Sequence, residues 1–191
     1  MIIWLMGLSG SGKSTLGNEI YKQIKFKKPN VILFDGDDVR KVFEHDKGDD
    51  SYSIKEREKS SYRLASLCLL LDNQGVDVIC CNLSSPQKLR NENRKNFSSY
   101  FEIFMDSPIE VLIERDKKGL YKKFFEKKVK NVVGLDLPFL KPENPDLIIN
   151  SSKKFFNISE IAKNVIKVSK ILWKKRKKLN LELRPKHLTL L

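Results

Sequence analysis

A glycine-rich segment near the amino terminus constrains the fold more than any other part of the chain. Residues 7–14 read Gly-Leu-Ser-Gly-Ser-Gly-Lys-Ser, the spacing GxxxxGK[ST], between an apolar run at residues 2–6 and an amphipathic stretch. A strand, a glycine loop and a helix in this order form a phosphate-binding loop, because the glycines turn backbone N–H groups inward and the helix N-terminus adds positive charge. The segment therefore predicts binding of a nucleoside triphosphate, and a glycine turn that binds nothing does not account for all three features.

The side chains of this loop have specific expected roles. Lys13 is expected to bridge the β- and γ-phosphates of ATP, and the Ser14 hydroxyl is placed to ligate Mg²⁺. The other predicted ATP-binding residues of the loop are Gly7, Ser9, Gly10, Ser11, Gly12 and Thr15. A loop that starts at residue 7 of 191 leaves room for little beyond a core sheet and a lid. This position favours a small-molecule kinase over a motor or a transporter ATPase.

Short apolar runs alternate with helical patterns along the chain. The strand-like runs are residues 2–6, 31–34, 76–81, 101–105 and 147–149. The helical patterns cover residues 13–24, 55–73, 86–97 and 108–113 and resume at about residue 158. The strand-like runs lack polar alternation, which is typical of strands covered on both faces. We therefore predict one α/β domain over residues 1–191, with a five-stranded parallel sheet and helices on both of its faces.

Residues 115–145 break this rhythm. The segment is dense in Lys, Gly and Pro, and the sequence shows no internal repeat or domain linker. We interpret it as a basic lid inserted within the single domain.

Acidic residues follow the second predicted strand. The segment Asp35-Gly36-Asp37-Asp38-Val39-Arg40 comes directly after the apolar run at residues 31–34. The carboxyl ends of strands in an open α/β sheet face the ligand crevice, so Asp37 is expected near the transferred phosphoryl group. A kinase needs a carboxylate to orient or deprotonate the acceptor hydroxyl and to help hold Mg²⁺, and an arginine to bind the acceptor's own phosphate. A solvated Asp-Gly turn is the alternative.

The basic excess is concentrated at the carboxyl end. The chain has 37 Lys and Arg against 24 Asp and Glu, for a net charge of +13, and residues 163–191 hold ten of the bases and one acid. Such a basic C-terminal helix and tail, about residues 158–191, could bind nucleic acid or an acidic membrane surface. We favour a solvated helix without a nucleic-acid partner, because basic helix ends are common. Its expected buried stripe is Ile161, Val165, Val168, Ile171 and Leu172.

Composition also bears on the compartment. No apolar run approaches the roughly 18 residues needed to span a bilayer, and the apolar run after Met1 is not preceded by a basic segment. The three cysteines, Cys68, Cys80 and Cys81, form no CxxC pair and are expected to be buried thiols. We therefore expect a cytoplasmic protein with no membrane partner.

Several motifs in order resemble the adenylyl-sulfate kinase family. They are GLSGSGKST at residues 7–15, DGDDVR at 35–40, MDSPIEV at 105–111, RDKKGLYKK at 115–123, GLD at 134–136 and PENP at 142–145. KGLYKK is far more specific than a phosphate-binding loop alone, and the resemblance covers roughly residues 1–150. It implies a P-loop kinase fold and MgATP-dependent phosphorylation of the ribose 3′-hydroxyl of adenosine 5′-phosphosulfate.

The resemblance also assigns roles to matching residues. The family's catalytic Asp matches Asp37, and the following Arg, which binds the acceptor nucleotide, matches Arg40. The basic lid that closes over the phosphates matches Arg115, Lys118, Lys122 and Lys123. A mobile cationic flap of this kind excludes water and neutralises charge in the transition state.

Departures from the family pattern lie on the acceptor side. The segment FISPYRADR corresponds to residues 82–90, where Ser84 is kept and the anion-binding Arg becomes Gln87. The pattern DRxENIRRV corresponds to residues 56–64, where Arg57 and Arg63 are kept while Asn and one Arg become Ser60 and Tyr62. The family's KGFTGID, whose Phe stacks on the acceptor adenine, reads Lys-Asn-Val-Val-Gly-Leu-Asp at residues 130–136. Val132 thus replaces that Phe, while the opposite aromatic wall matches Tyr52.

These departures favour an acceptor other than adenylyl sulfate. Stacking on an aromatic side chain contributes about 1–3 kcal/mol per base, so its loss weakens or redirects base recognition. Gln carries a donor and an acceptor where Arg carries only donors, which suits a terminal group that itself bears N–H bonds. Cytidine diphosphoramidate meets both conditions. A true adenylyl-sulfate kinase with a drifted pocket is the alternative.

The predicted site therefore has three parts. The catalytic residues are Lys13, Asp37 and Lys118; Arg115 joins the loop in binding ATP; Ser14 and Asp37 hold Mg²⁺. The acceptor-binding residues are Asp37, Arg40, Tyr52, Arg57, Ser84, Gln87, Lys118 and Val132. A hypothesis of another class is a nucleotide-switched RNA-binding module, although a guanine-specific NKxD segment is absent from the sequence. The oligomeric state is left open, with a homodimer as the expectation.

Overall fold

A computed structural model describes residues 1–48, 50–152 and 157–183 of the chain, with side chains up to residue 171. Five strands form one sheet: β1 (Ile2–Met6), β2 (Val31–Asp35), β3 (Asp77–Cys81), β4 (Tyr100–Asp106) and β5 (Leu147–Asn150). Their order is β2-β3-β1-β4-β5, and every neighbouring pair is parallel. The predicted five-stranded parallel sheet is confirmed.

The helices connect these strands and cover the sheet. They are α1 (Lys13–Lys27), α2 (Gly36–Val42), α3 (Ile54–Asn73), α4 (Gln87–Asn96), α5 (Ile109–Arg115), α6 (Leu120–Phe125) and α7 (Ile158–Leu183). The sequence patterns did not predict α2 and α6, which have seven and six residues. Local capping sets the start of α2, where the Asp35 side chain accepts a hydrogen bond from the Asp37 backbone N–H.

Two apolar layers cover the two faces of the sheet. Ile3 and Leu5 of β1 face a layer that includes buried residues of α1 and α7. Ile2, Trp4 and Met6 alternate onto the other face, where α3 and α4 supply the covering side chains. Because helices cover both sides, the central strand β1 is apolar throughout, as the sequence indicated. Cys68, Cys80 and Cys81 are free and buried, as expected.

The C-terminal helix packs differently from the stripe predicted for it. Its buried face runs through Ala162, Val165 and Ser169. This direction turns Val168 and Ile171 to the surface, so the prediction that these two side chains are buried is wrong. The side chain of Leu172 and the tail at residues 184–191 lie outside the described residues. Within the described ranges, no helix combines the length and the apolar character needed to cross a membrane.

Candidate active site

The phosphate-binding loop joins β1 to α1 at the carboxyl end of the central strand. Gly7 leaves β1 with φ of 149°, and a Cβ there would come within 2.6 Å of the Met105 carbonyl oxygen. Gly12 stands directly before α1 in the left-handed region, with φ of 93°. Both positions therefore require glycine, and the loop they form turns around the N-terminus of α1.

The loop opens onto a cavity of about 650 Å³, a volume typical of small-molecule sites. Its other walls are the segment after β2, α3, the turn after β3, the start of the lid and the residues after β5. The predicted ATP-binding residues in its lining are Ser9, Gly10, Ser11, Gly12, Lys13, Ser14, Thr15 and Arg115, whereas Gly7 shapes the turn. Ser11 Oγ is buried without a hydrogen-bond partner in the described part of the chain, so it is available to a phosphate.

Lys13 lies at the base of this cavity. Its Nζ donates a hydrogen bond to the Leu8 carbonyl at 2.8 Å. Burial lowers the pKa of Lys13 to about 8, although the nearby carboxylates of Asp37 and Asp35 oppose that shift. A phosphate placed here would raise the pKa of Lys13 again, because an adjacent opposite charge favours the charged state.

Arg115 lies where β5 reaches the cavity. Its guanidinium donates hydrogen bonds to the carbonyl oxygens of Ser151 and Ser152, each at 2.7 Å. These bonds fix the side chain at the start of the lid, beside the phosphate-binding loop. This is the position in which it can contact a bound nucleotide.

Two aspartates of the DGD segment have different partners. The Ser14 hydroxyl donates a hydrogen bond to Asp35 Oδ2, and Asp37 lies farther along, at the start of α2. The structure thus pairs Asp35, which the sequence analysis did not select, with the predicted metal ligand Ser14. In the described ranges, no group of three or more His, Cys, Asp and Glu residues could hold a metal. A hydroxyl and a carboxylate still fit Mg²⁺, which usually takes few protein ligands and keeps waters or phosphate oxygens.

Asp37 forms an ion pair with the lid. Lys118 Nζ lies 2.9 Å from Asp37 Oδ2, and both side chains are 64% exposed. Partial desolvation in the cavity raises the pKa of Asp37, but the hydrogen bond and charge of Lys118, together with the charges of Lys13 and Arg40, outweigh it and leave the pKa below its usual value. The carboxylate is therefore ionised near neutral pH and can accept a proton. Lys122 and Lys123, also matched to the lid, are exposed and outside the cavity lining.

Arg40 is built into the acceptor side of the cavity. It donates to Ser60 Oγ and to the His45 carbonyl, each at 2.8 Å, and to the Ser51 carbonyl. Its Nε is buried without a partner in the described part of the chain. Arg40 thus keeps a donor for a ligand while it organises the loop after α2.

Arg57 connects α3 to the lid. Its Nε donates to the Tyr52 carbonyl at 2.8 Å, and its Nη2 donates to the Asn131 carbonyl at 2.9 Å. The guanidinium carbons of Arg57 and Arg40 lie 5.2 and 4.7 Å from the centre of the Tyr52 ring. The structure therefore groups three predicted acceptor-binding residues, although Tyr52 itself is outside the lining of the 650 Å³ cavity.

Ser84 and Gln87 take different places in the turn after β3. Ser84 lines the cavity, and its carbonyl accepts hydrogen bonds from Ser61 and Asn82. Gln87 is outside the lining; its Oε1 accepts a hydrogen bond from Arg90, and its Nε2 donates to Asn91 at 3.0 Å. The side chain of Gln87 is thus held at the first residue of α4.

Val132 lies in the interior of the lid. Its side chain is 3% exposed and belongs to an apolar cluster with Leu8, Leu112 and Tyr121. Its backbone N–H donates to Asp136 Oδ1 at 2.5 Å. Val132 therefore packs under the lid and does not line the cavity, which leaves its predicted contact with the acceptor base without support from this geometry.

The cavity also holds residues that the sequence analysis did not select. The polar ones among them include Asp35, His45, Ser61, Arg63 and Asn82. A hydrogen bond runs from Asn82 Nδ2 to Ser61 Oγ, and the guanidinium of Arg63 lies within hydrogen-bond distance of the His45 ring. Asp35 belongs to the DGD segment and Arg63 is kept in the family pattern, so the sequence indicated that both could belong to the site. Ser61 and Asn82 lie within residues 56–64 and 82–90, where they differ from the family residues, so only the packing of α3 against β3 shows that they meet in the site.

Comparison with known proteins agrees with this geometry. The adenylylsulphate kinase family matches residues 1–150. Cytidine diphosphoramidate kinase of Campylobacter jejuni subsp. jejuni serotype O:2 is 39% identical over 166 residues, which are 87% of this chain and 94% of that protein. A probable adenylyl-sulfate kinase of Pseudomonas aeruginosa is 30% identical over 184 residues, 96% of this chain and 84% of its own length.

Solved structures of APS kinases are also similar to this chain. An APS kinase of Mycobacterium tuberculosis, determined in complex with AMPPNP and APS, superposes with a TM-score of 0.77 at 31% identity. The match covers 87% of this chain and 95% of that one. The P-loop kinase fold and the resemblance seen in the motifs are confirmed. The chain therefore belongs to the adenylylsulphate kinase family and is a phosphotransferase with an alcohol group as acceptor.

Proposed function

We propose that this enzyme uses ATP to phosphorylate the ribose 3′-hydroxyl of cytidine diphosphoramidate, a 5′-activated nucleotide. The observation that carries the kinase chemistry is the Asp37 carboxylate, ionised and 2.9 Å from Lys118, in the same cavity as Lys13. The phosphate-binding loop, Arg40 and Arg57 line this same cavity. A carboxylate between a donor site and an arginine-lined acceptor site suits transfer of a phosphoryl group to a hydroxyl.

The donor half of the site binds the triphosphate. Backbone N–H groups of residues 9–14 and the Ser11 hydroxyl surround the phosphates, and Lys13 neutralises the β- and γ-phosphate oxygens. Arg115 contacts the nucleotide from the start of the lid. These residues align the γ-phosphoryl group with Asp37, and alignment rather than covalent chemistry supplies most of the catalysis of phosphoryl transfer.

Mg²⁺ is the cofactor that fits the donor half. Ser14 Oγ and Asp35 are hydrogen-bonded to each other, and either oxygen is a suitable ligand once they separate. Asp37, the carboxylate predicted for this role, pairs with Lys118 instead, and its metal-binding role stays a prediction. Bound Mg²⁺ would neutralise charge on the β- and γ-phosphate oxygens.

The acceptor half positions the reacting hydroxyl. Asp37 accepts the proton of the 3′-hydroxyl as the hydroxyl oxygen attacks the γ-phosphorus. Lys118 can then move from Asp37 to the transferred phosphoryl group. Both side chains of the ion pair are largely exposed, and such a pair contributes little to the free energy of folding. Arg40 and Arg57 bind the anionic 5′ groups of the acceptor.

The choice of cytidine diphosphoramidate rests on relatives and on residues. The relative of that name is 39% identical to this chain, while the Pseudomonas aeruginosa relative named for adenylyl sulfate is 30% identical. In the sequence, Gln87 stands where the adenylyl-sulfate pattern has a cation and Val132 stands where it has the stacking Phe, although neither side chain lines the cavity. Adenylyl sulfate remains the second candidate acceptor, since the family match and the Mycobacterium tuberculosis structure favour it.

A direct comparison of the two acceptors tests this choice. We expect kcat/KM for cytidine diphosphoramidate to exceed that for adenylyl sulfate at least tenfold, a difference of about 1.4 kcal/mol in transition-state binding. Gln87→Arg should move the ratio toward adenylyl sulfate, with Lys88→Arg, one residue away, as the control. A wild-type enzyme that prefers adenylyl sulfate would overturn the proposal and leave an adenylyl-sulfate kinase.

Two coarser expectations accompany this function. We place the enzyme in the cytoplasm, because it consumes ATP and its three cysteines are free and buried, as is usual in a reducing compartment. The homodimer stays a prediction, which light scattering of the purified chain tests.

A further inference from the structure

A second hollow lies beside the active-site cavity, between the loop before α3 and the lid. Its volume is about 740 Å³. The residues that line it are Tyr52, Phe124, Phe125, Lys127, Lys128, Val129, Lys130 and Asn131. No step of the phosphoryl transfer uses this hollow, although it adjoins the acceptor side of the site.

Aromatic side chains form much of its wall. Phe124 packs against the apolar cluster under the lid, and this contact anchors α6. Phe125 meets Phe124 edge to face, with ring centres 5.6 Å apart, and remains 60% exposed. Tyr52 is 40% exposed. Two exposed aromatic rings in one hollow offer a planar ligand a surface on which to stack.

Arg57 connects the hollow to the acceptor side of the cavity. It lines the cavity, and its guanidinium donates to the carbonyl of Asn131, which lines the hollow. The same guanidinium lies 5.2 Å from the centre of the Tyr52 ring. Arg57 therefore lines the cavity and contacts two residues of the hollow, so the cavity and the hollow adjoin at this side chain.

Asn131 places an amide group in the same hollow. Its backbone is fixed on both sides, because the N–H donates to Asp136 Oδ2 at 2.7 Å and the carbonyl accepts from Arg57. Its φ of 64° is left-handed, a conformation that Asn and Gly tolerate better than other residues. An amide carries a donor and an acceptor, which matches the mixed hydrogen-bonding edge of a nucleobase.

We propose that this hollow binds the base of the acceptor nucleotide, with Phe125 as the stacking surface and Asn131 as the reader of the base edge. The inference rests on the proposed function, since it locates the base of that acceptor. The family pattern places the stacking side chain at position 132, but Val132 is buried. We assign the stacking contact to Phe125 instead, on the exposed face of α6. Phe125 and Asn131 are thus specificity-determining residues for the acceptor.

Paired ligands that differ only in the base test this site. CMP and ribose 5-phosphate are titrated calorimetrically into the full chain after AMPPNP and Mg²⁺ have filled the donor site. The variants are Phe125→Ala, Asn131→Gly, which keeps the positive φ accessible, and the control Phe26→Ala, whose ring is 90% exposed at the end of α1.

We expect the variants to lose affinity for CMP, which has a base, and not for ribose 5-phosphate, which has none. Phe125→Ala should weaken CMP binding roughly 5- to 100-fold, as for loss of one stacked base. Asn131→Gly should weaken it roughly 2- to 10-fold, as for one neutral hydrogen bond. Ribose 5-phosphate should bind all variants equally, and Phe26→Ala should bind both ligands as wild type does.

Several results would overturn the base site. One is an equal loss of affinity for both ligands, which indicates a general lid defect. The others are unchanged CMP binding in Phe125→Ala and a wild-type chain that binds CMP and ribose 5-phosphate equally.

Turnover assays separate this inference from the proposed function. Transfer to the acceptor without dependence on Phe125 refutes the base site alone. CMP binding that depends on Phe125, in a chain that transfers no phosphoryl group, refutes the proposed function alone.

Discussion

Asp37→Asn keeps the size of the side chain, removes its charge and separates the catalytic role of Asp37 from its structural role. The structural role is the ion pair with Lys118, in which both side chains are 64% exposed. Pairs as exposed as this contribute about 0–1 kcal/mol to stability. For a chain of this length, that energy corresponds to a melting-temperature change of no more than about 4 °C.

The catalytic role is worth much more. A positioned general base typically accelerates proton transfer by roughly 10²- to 10⁴-fold, which corresponds to about 3–5 kcal/mol of activation free energy. We therefore expect Asp37→Asn to lower kcat at least 100-fold while acceptor KM and the melting temperature change little. The small stability change and the large rate change together identify a group that acts in the transition state.

The assay measures formation of phosphorylated acceptor by mass spectrometry and melting by differential scanning fluorimetry. Asp38→Asn is the matched control, because it removes the neighbouring acid, which is exposed and pairs only with Lys41 among the contacts described. Its kcat should stay within about twofold of wild type, as for a surface substitution. An Asp37→Asn enzyme that keeps more than a tenth of wild-type kcat would refute the assignment of Asp37 as the base.

Three further changes probe the same site. Lys118→Met should raise the pKa of Asp37 toward its usual value, because the lysine lowers it, so the acidic limb of the kcat/KM profile should move to higher pH; an unmoved limb would contradict this. Lys13 in the free enzyme has a pKa of about 8, so ATP binding at pH 9 should take up protons and binding at pH 7 should take up far fewer. Calorimetry in buffers of different ionisation enthalpy measures that uptake, and equal uptake at both pH values would count against it. Arg40→Ala should chiefly raise acceptor KM. A loss of kcat larger than that of Asp37→Asn would indicate that Arg40, and not Asp37, acts mainly in the transition state.

The sheet and the phosphate-binding loop could be predicted from sequence because their signals are local. Strands buried on both faces, such as β1, read as continuous apolar runs, and all five strands were found to within one residue at either end. The loop combines fixed glycine spacing with a preceding strand and a following helix. The roles of Lys13 and Ser14 could therefore be predicted from the sequence alone.

The rest of the site depends on contacts between distant segments. The partner of Ser14 is Asp35, not Asp37, and this follows from how α2 is capped rather than from any motif. Val132 was selected by its place in a family pattern, but the packing of the lid buries it. Phe125 carried no signal, because an aromatic residue on a short helix is indistinguishable in sequence from one that packs in a core.

The measurement that tests the account most directly is identification of the reaction product. The purified chain is incubated with Mg²⁺, ATP labelled with ¹⁸O in the γ-phosphoryl group and cytidine diphosphoramidate, and the product is analysed by mass spectrometry and ³¹P NMR. The account predicts one labelled phosphoryl group on the ribose 3′-oxygen of the acceptor and a stoichiometric amount of ADP. Labelled inorganic phosphate with an unchanged acceptor, or a phosphoryl group at any other position, would contradict it.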